Sequence, residues 1–587
     1  MSRDFRIRQA GSTAVLIDCD DLDGALAVFA TLTLARERGT LEVSEVVPAA
    51  QTVLVAGGEA RDPQRFIPRL RELLRESAVT ATGGAVGPEA VIAVNYAGED
   101  LDDVARLTGM SPDQVVDRHT ASTYTVAFTG FAPGFAYLSG GDPRLEVPRR
   151  ATPRPRILPG SVGLAGRFSG VYPRESPGGW QIIGTTAHTM WDTDREQPAA
   201  LVAGGTVRFV AEREHVIAAG DAAGSAPGKA PRVAASSPSL RVIDAGLQSL
   251  VEDEGRHGVA GMGVGESGAA VRSAFRHANR LVGNRPGAAV VELAHGGFAV
   301  EAIEPAVLAI TGAERNGRIT GPYGTRKVPH ARPFRLSAGE RLTLAAPSRG
   351  LRSILGIRGG IDAPAVLGSR SRDTLASLGP EPLAAGDELA TGSESLGVVG
   401  APEPVPDARP LPAPGDDVVL RVVLGPRDDW FSAEALASFT GQLFSGAAAP
   451  WGERVRLGDA RLSHQSWEVT PRSDRVGVRL AGAALQRAVE YAGRELPSEG
   501  MVLGAIQVPP DGQPVLFLAD RPLTGGYPVI AVVHDDDIDL AAQLSPGCRV
   551  RFVAMSDVAP ASKPRGAEPM STEPTGTDKT TEQENDS

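Results

Sequence analysis

Leu201-Val-Ala-Gly-Gly-Thr-Val-Arg-Phe-Val-Ala211, in the first half of the chain, returns near its end as Leu544-Ser-Pro-Gly-Cys-Arg-Val-Arg-Phe-Val-Ala554. Each copy is a leucine, a glycine turn and then alternating apolar positions. That is the pattern of a strand entered through a tight turn that seals a barrel. The shorter pattern Leu-x-x-Gly recurs at Leu336–Gly339 and Leu383–Gly386. A second pair supports the duplication: Arg174-Glu-Ser-Pro-Gly178-Gly179-Trp180-Gln-Ile-Ile parallels Arg521-Pro-Leu-Thr-Gly525-Gly526-Tyr527-Pro-Val-Ile. Each member precedes its terminal strand by a similar distance. Self-similarity of this kind predicts at least two related barrel units, and three if the shorter pattern is counted.

The 587 residues allow several domains. The chain is 42% hydrophobic and 22% charged, with 69 glycines, 46 prolines and few aromatics. Many turns and few long helices fit that balance, so the expected class is mainly β with α+β: tandem barrels preceded by a small α+β domain.

That first domain spans 1–85. Ala14–Ile17 and Val53–Val55 read as strands, and Asp21 or Asp23 caps a helix running to about Arg38, stopped by Gly39. Asp62-Pro63 opens a second helix, and Thr82-Gly-Gly-Ala reads as a hinge. A barrel follows over 86–213. It holds a strand at Val91–Tyr96, a helix at Leu101–Thr108, and a capping box, Ser111-Pro-Asp-Gln114, starting a helix that ends near His119. Residues 214–238 have linker composition, 239–398 form a barrel-like domain, 399–416 a proline-rich connector, 417–555 a second barrel, and 556–587 a disordered tail.

A net charge of −12 argues against nucleic-acid binding. The first residues hold no apolar core of a signal peptide, and no run of about 18 apolar residues is present, so neither export nor a membrane span is expected. Cys19 and Cys548, the two cysteines, make no disulfide framework; a reducing, cytoplasmic setting is expected.

Several motifs are missing. No Gly-x4-Gly-Lys-Ser/Thr loop occurs; the string Gly224–Lys229 has the wrong spacing and lies in the linker. Neither His-Glu-x-x-His nor Cys-x-x-Cys is present, so no metal site is expected, and there is no Gly-x-Ser-x-Gly elbow. Gly263-Val-Gly265-Glu-Ser-Gly268 does fit Gly-x-Gly-x-x-Gly, with a helix expected at Ala269–Val282 and a strand with Glu292 at Ala289–Leu293. A dinucleotide fingerprint must directly follow a buried strand. Here Glu252-Asp-Glu-Gly-Arg-His-Gly precedes it, so that reading is rejected.

The positive signal is Phe128-Thr-Gly-Phe131-Ala-Pro133-Gly134-Phe135-Ala-Tyr137, then Pro148-Arg149-Arg150 with Arg154 and Arg156, then Pro159-Gly160-Ser161-Val-Gly163, then Tyr172-Pro-Arg174-Glu-Ser-Pro-Gly178-Gly179-Trp180. Glycine turns expose backbone N–H groups, aromatic faces stack, and arginine forks suit carboxylate or phosphate. The residues alone leave two readings open, a ligand pocket or merely the corners of a barrel.

The stretch also resembles the B subunit of bacterial 5-oxoprolinase, a family also called allophanate hydrolase subunit 1 that includes a sporulation-kinase inhibitor. The similarity covers about residues 3–212. Residues 239–555 resemble the C subunit, or allophanate hydrolase subunit 2. The motifs are Val242-Ile-Asp-Ala-Gly246, Asn279 to Asn284, Gly359-Gly-Ile-Asp362 through Gly368-Ser369-Arg370-Ser371, Gly504-Ala-Ile-Gln507 through Gly512-Gln513, and Ala519-Asp520-Arg521 with Thr524-Gly525-Gly526-Tyr527-Pro528. Five positions depart from the family pattern: Phe168, Glu252 and Pro522, each where glutamine is common, and Ala270-Val271, where Met-Asp is common.

The resemblance implies cyclophilin-like barrels, modules that also build the carboxyltransferase part of urea carboxylase. It implies ATP-driven hydrolysis of 5-oxo-L-proline to L-glutamate with a separate A subunit, ATP being a cosubstrate. Self-association of the chain is left open, and no biotin is expected because no Met-Lys biotinylation motif occurs. The implied catalytic residues are His119 as general base, Arg174, Asp520 and Arg521, with Asp520 read as an ion-pair or acid–base partner of Arg521. Binding residues implied in the first barrel are Pro133, Gly134, Phe135, Tyr137, Arg149, Arg156, Ser161, Tyr172, Gly178 and Gly179. In the second half they are Ser369, Arg370, Gly525, Gly526 and Tyr527. Two other classes stay open: a carboxyltransferase-like enzyme of urea or allophanate chemistry, and a non-enzymatic regulator that binds a histidine kinase.

Overall fold

The computed structural model describes residues 5–77, 89–150, 152–212, 237–322, 324–401, 410–444, 456–459 and 465–555. The hinge expected at Thr82, nearly all of the 214–238 linker, half of the prolines of the 399–416 connector and the tail from 556 lie outside these residues.

The chain begins with an antiparallel sheet of strands Arg6–Gln9, Ala14–Asp18, Thr52–Ala56 and Glu45–Pro48, in that order. Helix Leu22–Glu37 covers one face. Asp21 caps it by accepting from Gly24 N at 2.7 Å, and Gly39 leaves it in the left-handed region, φ +70°. Helix Pro63–Ser77 starts where expected, with the Asp62 carboxylate accepting from Arg65 N at 3.3 Å. Val15, Ile17, Val28, Leu32, Val53, Phe66 and Leu70 fill the space between helices and sheet.

The repeated segment closes two barrels in the same way. The first runs Glu89–Val94, Thr206–Ala211, Thr123–Thr129, Ala136–Ser139, Phe168–Val171, Ser161–Ala165, Gln181–Thr185, and an Asn95–Thr185 bridge joins its ends. The second is fully closed: Asp417–Leu424, Arg549–Ala554, Trp467–Val469, Gly477–Ala481, Val515–Phe517, Ala505–Gln507, Val529–Val533. The two orders correspond strand for strand. In each, the repeat is the last strand and runs parallel to the first, Thr206 opposite Glu89 and Arg549 opposite Asp417. The repeated turn glycines, Gly204 and Gly547, sit at φ +85° and +86°, where a side chain would be strained. Each barrel also carries a serine-capped helix, Pro112–Ala121 with its full capping box and Ala433–Thr440.

Between the barrels, Pro238–Thr391 departs from the barrel-like expectation. It forms a seven-stranded and a five-stranded sheet facing each other over Leu240, Val242, Val291, Phe298, Leu308 and Leu355. The Leu-x-x-Gly turns at Gly339 and Gly386 do feed strands, Arg341–Leu344 and Glu388–Thr391, but both lie inside the open sheet. The turn therefore signals a strand, not closure. One edge of that sheet, Gly324–Lys327, is exposed throughout and charged, which discourages further pairing. Strands Ser249–Glu252 and Val290–Leu293 are antiparallel neighbours, so the segment between them cannot be the parallel βαβ unit of a dinucleotide fold.

The domains are interlocked rather than strung in series. Ala14, Leu16 and Leu54 of the first sheet pack on Met501, Phe517 and Val532 of the last barrel. Arg427 of that barrel bonds Asp18 at 2.7 Å and also Glu499, while Arg8 bonds Asp18 at 2.7 Å and Asp429 at 3.0 Å. Helix Arg272–Val282 contributes Ala274, Phe275 and Ala278 to the core shared with the last barrel. Among the described residues no helix is long and apolar enough to cross a membrane.

Candidate functional site at the junction of the two halves

A cavity of about 490 Å³ opens where the first sheet, the loop before helix Arg272–Val282 and the last barrel meet. That volume suits a small-molecule site. The loop is the Gly-x-Gly-x-x-Gly segment and its approach. It closes on itself through Ala269 N to Asp253 O at 3.0 Å and Arg256 N to Glu266 O at 2.7 Å. Thr129 Oγ1 donates to Ala260 O at 3.0 Å and Gly134 N to Met262 O at 3.1 Å, so the first barrel's signature loop holds it from the other side. The glycines are there for close approach: a Cβ on Gly263 would stand 3.0 Å from Ala132 O.

This loop carries His257 and Glu266 into the cavity, beside Arg272 and Arg521. Three cationic groups converge on the Glu266 carboxylate: Arg521 Nη2 at 3.1 Å, His257 Nδ1 at 3.6 Å and Arg272 Nη2 at 4.0 Å. Burial alone would raise the Glu266 pKa; His257, Arg521 and Arg272 outweigh it and hold the carboxyl well below its ordinary value. The same carboxylate raises the pKa of His257 against the opposing effect of burial. Arg521 Nε donates to Met501 O at 3.3 Å, while its Nη1 is buried with no protein partner. Glu45, from the first sheet, accepts from Gly258 N, and burial pushes its pKa up.

Behind the cavity lies a wholly buried charge cluster. Arg475 pairs with Asp520 (Nε to Oδ2 3.0 Å), with Glu252 at 3.2 Å and, more closely, with Glu292. Asp520 also accepts from Ser267 Oγ and Thr374 Oγ1, both at 2.6 Å. Burial raises Glu252 far above the usual carboxylate range, while Arg475 holds Asp520 low against burial. Among the described residues no group of three His, Cys, Asp or Glu side chains could hold a metal ion.

Two family models match the chain: "Carboxyltransferase domain, subdomain C and D" over residues 5–201, and "Carboxyltransferase domain, subdomain A and B" over 262–449 and 455–554. The C subunit of Escherichia coli 5-oxoprolinase is 32% identical over 54% of this chain and 91% of its own length. The B subunit of Haemophilus influenzae 5-oxoprolinase is 39% identical over 29% of this chain and 80% of its own. The chain belongs to the families of the 5-oxoprolinase B and C subunits, fused in one polypeptide. The crystal structure of TTHA0988 matches 92% of this chain and 99% of its own with a TM-score of 0.75 and 30% identity.

The structure of this fused B/C chain gathers only part of the expected site. Arg521 alone of the four expected catalytic residues lines the cavity. His119 is fully buried in the first barrel. Its Nδ1 meets Tyr96 Oη at 2.7 Å, its Nε2 meets Ser169 Oγ at 2.8 Å, and burial lowers its pKa to about 3. Its ring lies 4.4 Å from Phe209; in the other barrel Phe439 lies 4.6 Å from Phe552, the repeat's equivalent residue. The geometry is that of a core ring, not of a base open to substrate. Arg174 crosses to the middle domain, donating to Leu375 O at 2.8 Å and Ala376 O at 2.7 Å. The expected Asp520–Arg521 pair does not form, because Asp520 turns into the buried cluster and Arg521 into the cavity.

The expected binding residues of the B part divide. Phe135, Tyr137, Tyr172 and Trp180 form one edge-to-face cluster, closed by Leu22 and Ala50 of the first domain. Pro133, Gly134 and Ser161 are buried with it or in the barrel wall. A side chain at Gly178 would strike Tyr172 Oη, and Gly179 O accepts from Arg150 N at 2.8 Å. Arg149 is exposed, and Arg156 pairs at the surface with Glu175 at 2.8 Å. Arg150 and Arg154, their neighbours, are spent on Asp100.

In the C part, Ser369 Oγ donates to Asp253 Oδ1 at 2.5 Å, and Arg370 pairs with Glu394 at 3.2 Å, away from the cavity. Gly525 lies against Gln507, which donates to Tyr527 O at 2.9 Å; Tyr527 is partly exposed and Gly526 adjoins it. Sequence reasoning missed Glu45, His257, Glu266 and Arg272. Glu266 sat inside a motif rejected for the right reason, and nothing local in the sequence relates the four.

Proposed function

We propose that this chain supplies both the B and the C parts of an ATP-dependent 5-oxoprolinase and, with a separate A subunit, hydrolyses 5-oxo-L-proline to L-glutamate. One observation carries the reading: a single polypeptide covers 91% of a C subunit and 80% of a B subunit and builds its cavity from both parts. The lactam of 5-oxoproline is unstrained and resists water. Phosphorylation of its oxygen by ATP makes the ring carbon electrophilic. Water then adds, the ring C–N bond breaks as the nitrogen takes up a proton to become the amino group, and a second water hydrolyses the resulting acyl phosphate, releasing inorganic phosphate and glutamate. Arg521 and Arg272 supply positive charge where the carboxylate and the developing oxyanion must be held.

The assay mixes the chain with the A subunit, ATP and 5-oxoproline. ADP release that depends on 5-oxoproline, with matching glutamate, is the expected result; substrate-independent ATP turnover without glutamate refutes it. The carboxyltransferase description of both matching models favours a second reading, an enzyme of urea or allophanate chemistry. Substituting those compounds in the same assay separates the two.

A further inference from the structure

We propose that His257, positioned by Glu266, is the proton-transferring residue of the cavity and protonates the ring nitrogen as the lactam opens. This rests on the 5-oxoprolinase reading above and adds to it the donor that the reaction requires.

The argument starts from geometry. His257 and Glu266 lie on opposite arms of one closed loop, and the Arg256 N to Glu266 O bond at 2.7 Å ties those arms together. The loop's base is fixed by Ala269 N to Asp253 O at 3.0 Å and by the Arg256 guanidinium, which donates to Val366 O at 3.1 Å and Ser371 O at 2.5 Å. Glu45 anchors its tip through Gly258 N. The imidazole is therefore carried on a frame pinned by two other parts of the protein. Nδ1 faces Glu266 at 3.6 Å, which leaves Nε2 with no protein hydrogen bond among the described residues. The side chain is 58% exposed on the cavity wall, within reach of a ligand.

A carboxylate behind one ring nitrogen and a reactive group before the other is the arrangement that orients an imidazole and stabilises its cation. The charges facing His257 are Glu266, Glu45 and Glu254, all acidic, so the imidazolium is favoured above the ordinary histidine range. A cation is the form needed to give a proton to a departing amide nitrogen. Arg521 and Arg272, on the far side of Glu266, keep that carboxylate ionised. His119, the other histidine considered for proton transfer, has both ring nitrogens occupied and no opening to the cavity.

The test uses the full chain with the A subunit, comparing wild type, His257→Gln and Glu266→Gln. In wild type, kcat for glutamate formation is expected to fall as pH rises through the raised His257 pKa, above 6.5. His257→Gln is expected to lower kcat by about 10²-fold or more and to abolish that alkaline limb, with KM for 5-oxoproline within about threefold. Glu266→Gln is expected to keep the limb but move it to lower pH, because the cation loses its carboxylate. Thermal melting checks that both variants fold. A His257→Gln enzyme that keeps the limb and a kcat within threefold of wild type overturns the assignment while leaving the 5-oxoprolinase reading intact. A wild-type complex that makes no glutamate overturns that reading, and this assignment with it.

Discussion

Replacing Arg475 with methionine tests whether the buried charge cluster holds the middle domain to the last barrel. Arg475 is 1% exposed and meets Asp520 at 3.0 and 3.2 Å, Glu252 at 3.2 Å and Glu292. Arg352 lies 3.5 Å from Glu292 as the second cation. Burial drives Glu252 to its neutral form, so two carboxylates face two guanidinium groups. Methionine fills similar volume but leaves one carboxylate uncompensated away from water. Breaking a buried pair in this way costs about 3–5 kcal/mol. Tryptophan fluorescence during urea unfolding reads it, since Trp467 lies in the last barrel's core. The deficit should shrink in acid, as the orphaned carboxylate takes a proton. Glu252→Gln is the control. A raised carboxyl pKa gives stability that is full below about 4.5 and is lost as pH rises through the folded value. The glutamine variant should therefore match or exceed wild type at neutral pH, by a margin that grows with pH. An Arg475→Met midpoint within about 1 kcal/mol of wild type, or a Glu252→Gln variant as damaged as Arg475→Met, refutes the reasoning.

Two further outcomes follow from the first barrel. His119→Phe should keep kcat within about twofold with the A subunit present, because Phe439 takes the matching position in the other barrel; it should lose about 1–3 kcal/mol of stability as Tyr96 and Ser169 lose their partner. A tenfold fall in kcat at unchanged KM would restore His119 as a catalytic residue. Asp100→Ala should cost about 3 kcal/mol near neutral pH by orphaning Arg150, leaving Arg154 with Glu99 alone and leaving the Ile182 N–H unpaired. Burial works against the Asp100 carboxylate, but Arg154 and the Ile182 N–H outweigh it and lower its pKa, so its contribution is present above about 3.8 and lost as pH falls through the folded value. Denaturation midpoints at pH 7 and pH 3 should converge, and a difference independent of pH counts against the ion pairs.

What could be read from the sequence was whatever is written locally. The Ser111–Gln114 capping box, the Asp21 cap and the Pro63 helix start are short-range bonds between neighbours, and each stands where expected. The repeat at Leu201 and Leu544 is also local, and it located the closing strands of both barrels. The cavity is not local: its walls come from residues near 45, 257–276, 501–503 and 521–538, which share no period. His119 misled for the same reason, since a histidine near a helix end looks alike whether it faces water or a barrel core. Glu252 shows the reverse case. A glutamate where glutamine is common adds an ionisable group on paper, and burial pushes its pKa toward the neutral form.

The parallel pairing of first and last strand in each barrel bears on how such chains can be cut and joined. Thr206 lies beside Glu89 and Ala211 beside Val94, so the chain enters at one end of the barrel and leaves at the other. At about 3.3 Å per residue the two points are about 17 Å apart. A circularly permuted barrel would need a bridge of about six extra residues along its wall, at a loop-closure cost. Joining modules head to tail needs no such return, because the outgoing chain already points away from its own start. The same geometry repeats at Asp417 and Arg549. For anyone rearranging the protein, permutation within a barrel should fail, and separating the units would expose the apolar faces by which they interlock.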